Sequence, residues 1–180
     1  DLMGKAGFRF LLYGLESANQ KTLDKLNKNL KVDQITPNLK MAKQAGLKPH
    51  LTVMIGYPWE TEKDIKKTYA FVKQLYKQRL VDSLQATLII PYPGTDLFKQ
   101  AEKNNWLKTK DWNKYDMSRP ILKTPLTDQE LKNYVRKFYS LVFTPSWMVW
   151  KLKEGLTSWT TFKYYLRFVR KFFSKQLDFK

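Results

Sequence analysis

The spacing of apolar positions changes along the chain, and each change marks an element. "FRFLLYG" at 8–14 is an apolar run ending in glycine, and "LKPHLTVMIG" at 47–56 and "SLQATLII" at 83–90 repeat the theme. Short runs of this kind, bounded by Gly and Pro, predict strands. Between them the spacing turns helical. "NQKTLDKLNKNL" and "TPNLKMAKQA" carry apolar residues at helical intervals, with Pro37 expected in a first helical turn after Thr36. "TEKDIKKTYAFVKQLYKQ" has Thr61 as N-cap and Asp64 three residues on, with Ile65, Ala70, Phe71 and Leu75 as its expected apolar face.

A short repeat supports this division. Ala-Gly shortly after a lysine precedes the first two strands, as Lys5-Ala6-Gly7 and Lys43-Gln44-Ala45-Gly46, and the two Ala-Gly pairs lie 39 residues apart. Glycine after a Lys-bearing helical run is a C-cap signal, since it enters the left-handed region without steric cost. Strand and helix alternate about every 35 to 40 residues, which predicts βα units around a parallel sheet. The opening residues read as the end of a helix, so further units are expected upstream.

Past residue 95 the pattern alters. "DLFKQAEKNNW" is a short helix, "LKTKDWNKYDMSRPILKTP" a covering loop, and "LTDQELKNYVRKFYSLVF" a helix capped by Thr127 with Glu130 three residues on. The expected division is a βα domain at 1–125 and a helical, basic, aromatic extension at 126–180.

Composition sharpens the second half more than the first. Apolar content of 43% excludes a disordered chain, and a formal charge of +17 implies an anionic partner or surface. Residues 131–180 hold eleven Lys or Arg against Glu154 and Asp178, and fourteen of the 27 aromatics. On a helical wheel from Trp159, Phe162, Tyr165, Leu166, Phe168, Val169, Phe172 and Phe173 share one half, while Lys163, Arg167, Arg170, Lys171 and Lys175 share the other. This basic amphipathic helix at 159–175 is read as docking on other domains or lying on an anionic membrane surface. Nucleic acid is the weakest reading, because no reader motif accompanies the charge. The sequence contains no cysteine, so no disulfide or thiolate metal site is formed from it. No run is long and apolar enough for a membrane span, and a cytoplasmic protein, at most peripheral to the membrane, is expected.

In parallel βα architectures the chemistry lies beyond the carboxyl ends of the strands. Those ends read "GLESAN", "GYPWET" and "PYPGT" here. Glu16 and Ser17 stand at the first, where a carboxylate suits vicinal hydroxyls or a cationic ligand. Each signal alone has a plainer reading. Glu16 also suits the start of the following helix, and the Pro-Tyr-Pro-Gly run also suits a strand terminator.

In this order, "LLYGLESANQKTLDKLNK", "AGLKPHLTVMIGYPWETEKDI" and "LQATLIIPYPGTDLF" resemble the last three βα units of the radical S-adenosylmethionine (SAM) enzymes, over residues 1 to about 125. More narrowly they resemble the branch with a cobalamin-binding domain. The resemblance implies an α/β fold, the C-terminal half of a partial (β/α) TIM-like barrel. It implies SAM, a [4Fe–4S] cluster and, in the branch, cobalamin. Cleavage of SAM to a 5′-deoxyadenosyl radical would then drive methylation, rearrangement or cyclisation of a small-molecule or lipid-like substrate. By position, Glu16 and Ser17 match the tip that meets the SAM ribose and neighbouring groups. The Gly56 to Glu60 turn, with Gly56, Tyr57 and Pro58 as its SAM-binding residues, matches the tip beside the adenosyl moiety, where Trp59 is bulkier than the superfamily usually has. Ile90, Pro91 and Tyr92 match the strand end that holds adenine. The family's three-cysteine loop is missing, so a chain of these residues alone is expected to be inactive, with the cluster ligands upstream. A non-catalytic α/β scaffold with a docking tail is the alternative.

The lone His50 is read as structural, since no cysteine or carboxylate cluster accompanies it. Asp111, Tyr115 and Asp116 lie in the covering loop, within reach of the barrel mouth. Packing by Trp106, Trp112 and Tyr115 is the favoured role for that loop.

Overall fold

The computed structural model describes residues 2–157 together with 162, 163, 166 and 167. Three strands, β1 Phe10–Glu16, β2 Lys48–Ile55 and β3 Ser83–Leu88, form one open parallel sheet in the order β1-β2-β3. Helix α1 Leu2–Lys5 precedes β1. Helices α2 Gln20–Lys25 and α3 Val32–Gln44 join β1 to β2, and α4 Glu62–Lys77 joins β2 to β3. The chain is thus the expected α/β succession of βα units. Helices α5 Asp96–Lys103 and α6 Asp128–Tyr139 follow, with a one-rung antiparallel bridge Leu107–Leu122 inside the covering loop.

Strict alternation in β2 leaves Pro49, Leu51, Val53 and Ile55 buried, and Leu84, Ala86 and Leu88 continue that face on β3. Helix α3 packs on β2 and α6 on β3. The opposite face, with Phe10, Leu12, His50, Thr52, Gln85 and Thr87, is half-buried or exposed. At the β3 edge the Tyr139 hydroxyl accepts the Ala86 amide at 3.3 Å, supplying a partner that an edge strand lacks.

The local cap signals hold. Gly7 and Gly46 end their helical runs at φ +84° and +77°. Asp64 accepts from both the amide and the hydroxyl of Thr61, and Glu130 does the same for Thr127. Two helical expectations are corrected. Helix α3 starts at Val32, so Pro37 lies inside it rather than in its first turn. The reason is non-local, because Gln20 of α2 accepts the Val32 amide at 3.0 Å and donates to the Leu30 carbonyl at 3.0 Å. Pro37 has no N–H for the Asp33 carbonyl, and both residues are exposed, where water can replace that bond. In α4 the buried face is Ile65, Thr68, Val72, Leu75 and Tyr76, while Ala70 is exposed and Phe71 only partly covered.

The chain divides into a compact unit ending at Val142 and a second beginning at Phe143. Helix α6 lies in the first of these units, with the sheet. In the second unit, α7 Pro145–Gly155 has Lys151 paired to Glu154 at 2.7 Å, with its ammonium 4.1 Å from the Trp150 ring centre. The amphipathic helix expected at 159–175 lies outside the described residues, apart from helical 162–163 and 166–167.

Leu131 of α6 is fully buried, and its side chain lies 3.5 Å from where a Cβ on Gly56 would stand. Leu131→Ala is expected to cost about 2–5 kcal/mol of stability, measured by urea denaturation. A change near zero would place α6 outside the cooperative unit.

Candidate functional site

Because the strands are parallel, the tips Glu16-Ser17, Gly56-Tyr57 and Ile90-Pro91-Tyr92 emerge at one edge of the sheet. The first tip is irregular. Gly14 pairs with Thr52 and Glu16 with Val53, so Leu15 is an extra residue, a β-bulge that re-aims the side chain after it. Glu16 consequently sits at φ +60°, uncommon for a residue with a Cβ and costly enough to point to function.

The Glu16 carboxylate is held on one side only. Its Oε1 accepts from the Lys28 ammonium at 2.7 Å, while Oε2 is buried with no hydrogen-bond partner among the described residues. Gly14 makes room for this pair, since a Cβ there would lie 2.6 Å from Oε1 and 2.7 Å from Nζ. Lys28 is presented by a turn in which Asn27 and Asn29 are both left-handed, at φ +51° and +49°. Asparagine tolerates that region better than most residues. Nothing in the local pattern singles out Lys28. Only the turn folding back on β1 brings it to Glu16.

Ser17 faces inward. It is fully buried, and its hydroxyl donates to Glu60 Oε1 at 2.7 Å and lies 3.3 Å from Thr68 Oγ1. Thr22 Oγ1 donates to the same Glu60 oxygen at 2.8 Å and accepts from Trp59 Nε1 at 3.2 Å. Glu60 is 2% exposed, and burial raises its pKa above the usual carboxylate value, with the two hydroxyls pulling the other way. Sequence reasoning took the "GYPWET" turn, Gly56 to Glu60, as a strand tip and gave the Glu60 carboxylate no role of its own. The available signal was a carboxylate one residue beyond the Pro-Trp pair.

Above this network the second tip is aromatic. Tyr57 is buried and stacks on Trp59 at 5.3 Å, Trp59 meets the edge of Trp106 at 5.9 Å, and Lys25 stands 4.7 Å over the Trp59 ring. Burial, then the charges of Glu16 and Glu60, push the Tyr57 hydroxyl far above its ordinary pKa. Gly56 takes φ +93°, where a side chain would be strained, and Pro58 is half-buried beside the turn.

At the third tip, Ile90 packs with Tyr115 and Ile121 under the covering loop, Pro91 is buried and Tyr92 is exposed. So the Ile90 side chain is engaged in packing and not directed at the strand end. Tyr115 donates to the Thr109 carbonyl at 3.1 Å, Asp111 caps the turn Trp112–Lys114, and Asp116 accepts from Ser118. The expected packing by Trp112 is corrected: it is 65% exposed, because the turn that Asp111 caps points it outward. His50 lies within β2, its Nδ1 2.8 Å from Ser83 Oγ and its ring 5.2 Å from Phe10, and burial lowers its pKa. These contacts agree with a structural role. No group of three or more His, Cys, Asp and Glu residues able to hold a metal occurs among the described residues.

Because Glu60 titrates above its unfolded value, its contribution to stability is full below the unfolded pKa of about 4.5 and is lost as pH rises through the raised value. Glu60→Gln keeps the acceptor for Ser17 and Thr22 but cannot ionise. From about pH 4 to about pH 8 the variant should gain stability relative to the parent, read from urea midpoints. Parallel profiles would show that Glu60 titrates normally.

Comparison with known proteins shows what this chain is similar to. The sequence model of the Radical SAM superfamily matches residues 1–72. An uncharacterized methyltransferase of Pyrococcus horikoshii is 33% identical over 138 residues, 76% of this chain and 29% of the relative. The bacteriochlorophyllide d C-8(2)-methyltransferase of Chlorobaculum tepidum is 28% identical over 142 residues, 77% of this chain and 31% of that protein. The anaerobic magnesium-protoporphyrin IX monomethyl ester cyclase of Rubrivivax gelatinosus is 27% identical over 148 residues, 79% and 26% of the two. The chain thus spans less than a third of the length of these relatives. The superfamily match covers β1 and β2 with the tips at Glu16 and Gly56, and the relatives align over about three quarters of the chain: this chain is similar to the radical SAM superfamily over the strands that bear the candidate site.

Proposed function

We propose that these residues form the SAM-binding edge of a radical SAM enzyme, with Glu16 as its central ligand-facing group. The observation that carries this is the Glu16 carboxylate: left-handed, displaced by a bulge, and with one buried oxygen lacking a partner among the described residues. An oxygen so placed costs stability unless something donates to it. SAM offers ribose hydroxyls and an α-ammonium as donors, so the donor set fits. Lys28, already on Oε1, adds a cation beside the carboxylate, which suits a zwitterionic amino-acid moiety. Gly56, Tyr57 and Pro58 would hold the adenosyl portion, with Gly56 allowing close backbone approach, and the backbone of Ile90, Pro91 and Tyr92 would flank the adenine. Ser17 supports the site through its bond to Glu60.

When bound together, SAM and a [4Fe–4S] cluster supply reductive SAM cleavage. The residues of this chain do not fit the cluster, for they include no thiolate. In this proposal its ligands belong to sequence outside these 180 residues, as does any cobalamin site. This chain's part is to bind and orient SAM and to keep water from the strand edge with Tyr57, Trp59 and Trp106. The relatives' names, two methyltransferases and a cyclase, favour methylation or ring formation on a small-molecule or lipid-like substrate.

Glu16→Gln in the full-length protein keeps shape and backbone while removing the charge. SAM affinity measured by titration calorimetry should fall about tenfold or more, the worth of one charge-assisted hydrogen bond. Unchanged affinity would remove Glu16 from the site.

A further inference from the structure

The second unit carries a surface that the SAM reading does not use. Along α7, Met148, Val149, Leu152 and Leu156 are 46%, 50%, 67% and 80% exposed. At helical spacing these four fall within an arc of about 100°, interrupted by no charge and flanked by Lys153. The other side of the helix is mixed and already engaged, with Trp147 and Trp150 about the Lys151–Glu154 pair. Four exposed aliphatic side chains on one arc are more apolar surface than water favours, and such a stripe marks a contact surface.

The charge carried by this part of the chain selects the occupant. Residues 143–180 hold eight Lys or Arg against Glu154 and Asp178. Exposed aliphatic residues, neighbouring tryptophans and an excess of lysine and arginine are the combination that settles a helix at an anionic bilayer surface. A nucleic acid would match the charge but not the aliphatic stripe, since such interfaces are polar. No described helix is long and apolar enough to cross a membrane, so the contact is interfacial. We propose that α7 and its C-cap Leu156 dock on an anionic lipid surface through Met148, Val149, Leu152 and Leu156, aided by the excess of lysine and arginine in residues 143–180.

The test is co-sedimentation of the full chain with vesicles of phosphatidylcholine alone or mixed with phosphatidylglycerol. Binding should require phosphatidylglycerol and weaken as salt rises. The double variant Leu152→Gln, Leu156→Gln leaves the net charge unchanged and alters two exposed positions, so circular dichroism should match the parent. Its vesicle affinity should fall about tenfold or more, from the lost transfer of two leucines. Equal binding to both vesicle types, or an affinity that the double variant leaves unchanged, overturns the proposal. So does concentration-dependent self-association abolished by the same variant, which would assign the stripe to a second copy.

Discussion

A carboxylate withdrawn from water must receive hydrogen bonds where it lies, or its charge costs several kcal/mol. Glu60 receives two on a single oxygen, from Ser17 at the end of β1 and Thr22 in α2. The end of β1 and helix α2 are therefore both locked to one atom of the turn after β2, 43 and 38 residues further along the chain. Thr22 in turn accepts from Trp59, which stacks on Tyr57, so the same anchor sets the aromatic side of the strand edge. Thr68 extends the lock to α4 by accepting the Ala18 amide at 3.1 Å. Displacing α2 or α4 from the sheet would strand a buried charge, and that penalty keeps the edge in one arrangement.

On this base the first tip can hold an unfavourable conformation. The bulge at Leu15 and the positive φ of Glu16 are each uphill locally, and they persist because Leu15 is buried and Lys28 neutralises one carboxylate oxygen. Helix α6 supports the next tip from outside the βα succession, with Leu131 against Gly56 and Tyr139 on the edge of β3. The buried hydrogen-bond network thus lies beside a strained carboxylate, one oxygen of which has no partner among the described residues. That is the position where a ligand gains most from a pre-ordered partner.

Much of the fold was legible because it is encoded locally. Thr61 with Asp64, Thr127 with Glu130, and the glycines at 7 and 46 act within one turn of chain, so spacing alone reveals them. The failures share a cause. Helix α3 begins at Val32 because a glutamine twelve residues earlier caps it. The buried face of α4 includes Thr68, whose hydroxyl is satisfied by Ser17 and Ala18, so hydrophobicity misassigned the face to Ala70 and Phe71. Trp112 reads as a packing residue, yet a turn capped by Asp111 points it into solvent.

By itself the sequence determined the alternation of strands and helices, the parallel sheet, and the three punctuated ends where Glu16, Gly56 and Pro91 stand. Those follow from periodicity and from the conformational range of glycine and proline, which any short window displays. The tertiary structure decided what each end does. It turned Ser17 away from the edge and onto Glu60, brought Lys28 to Glu16, buried the Ile90 side chain, and placed α6 beneath the second tip. These outcomes depend on which polar atoms remain unsatisfied once the chain has folded back on itself. That count is fixed by contacts between distant residues, and no spacing along the chain records it.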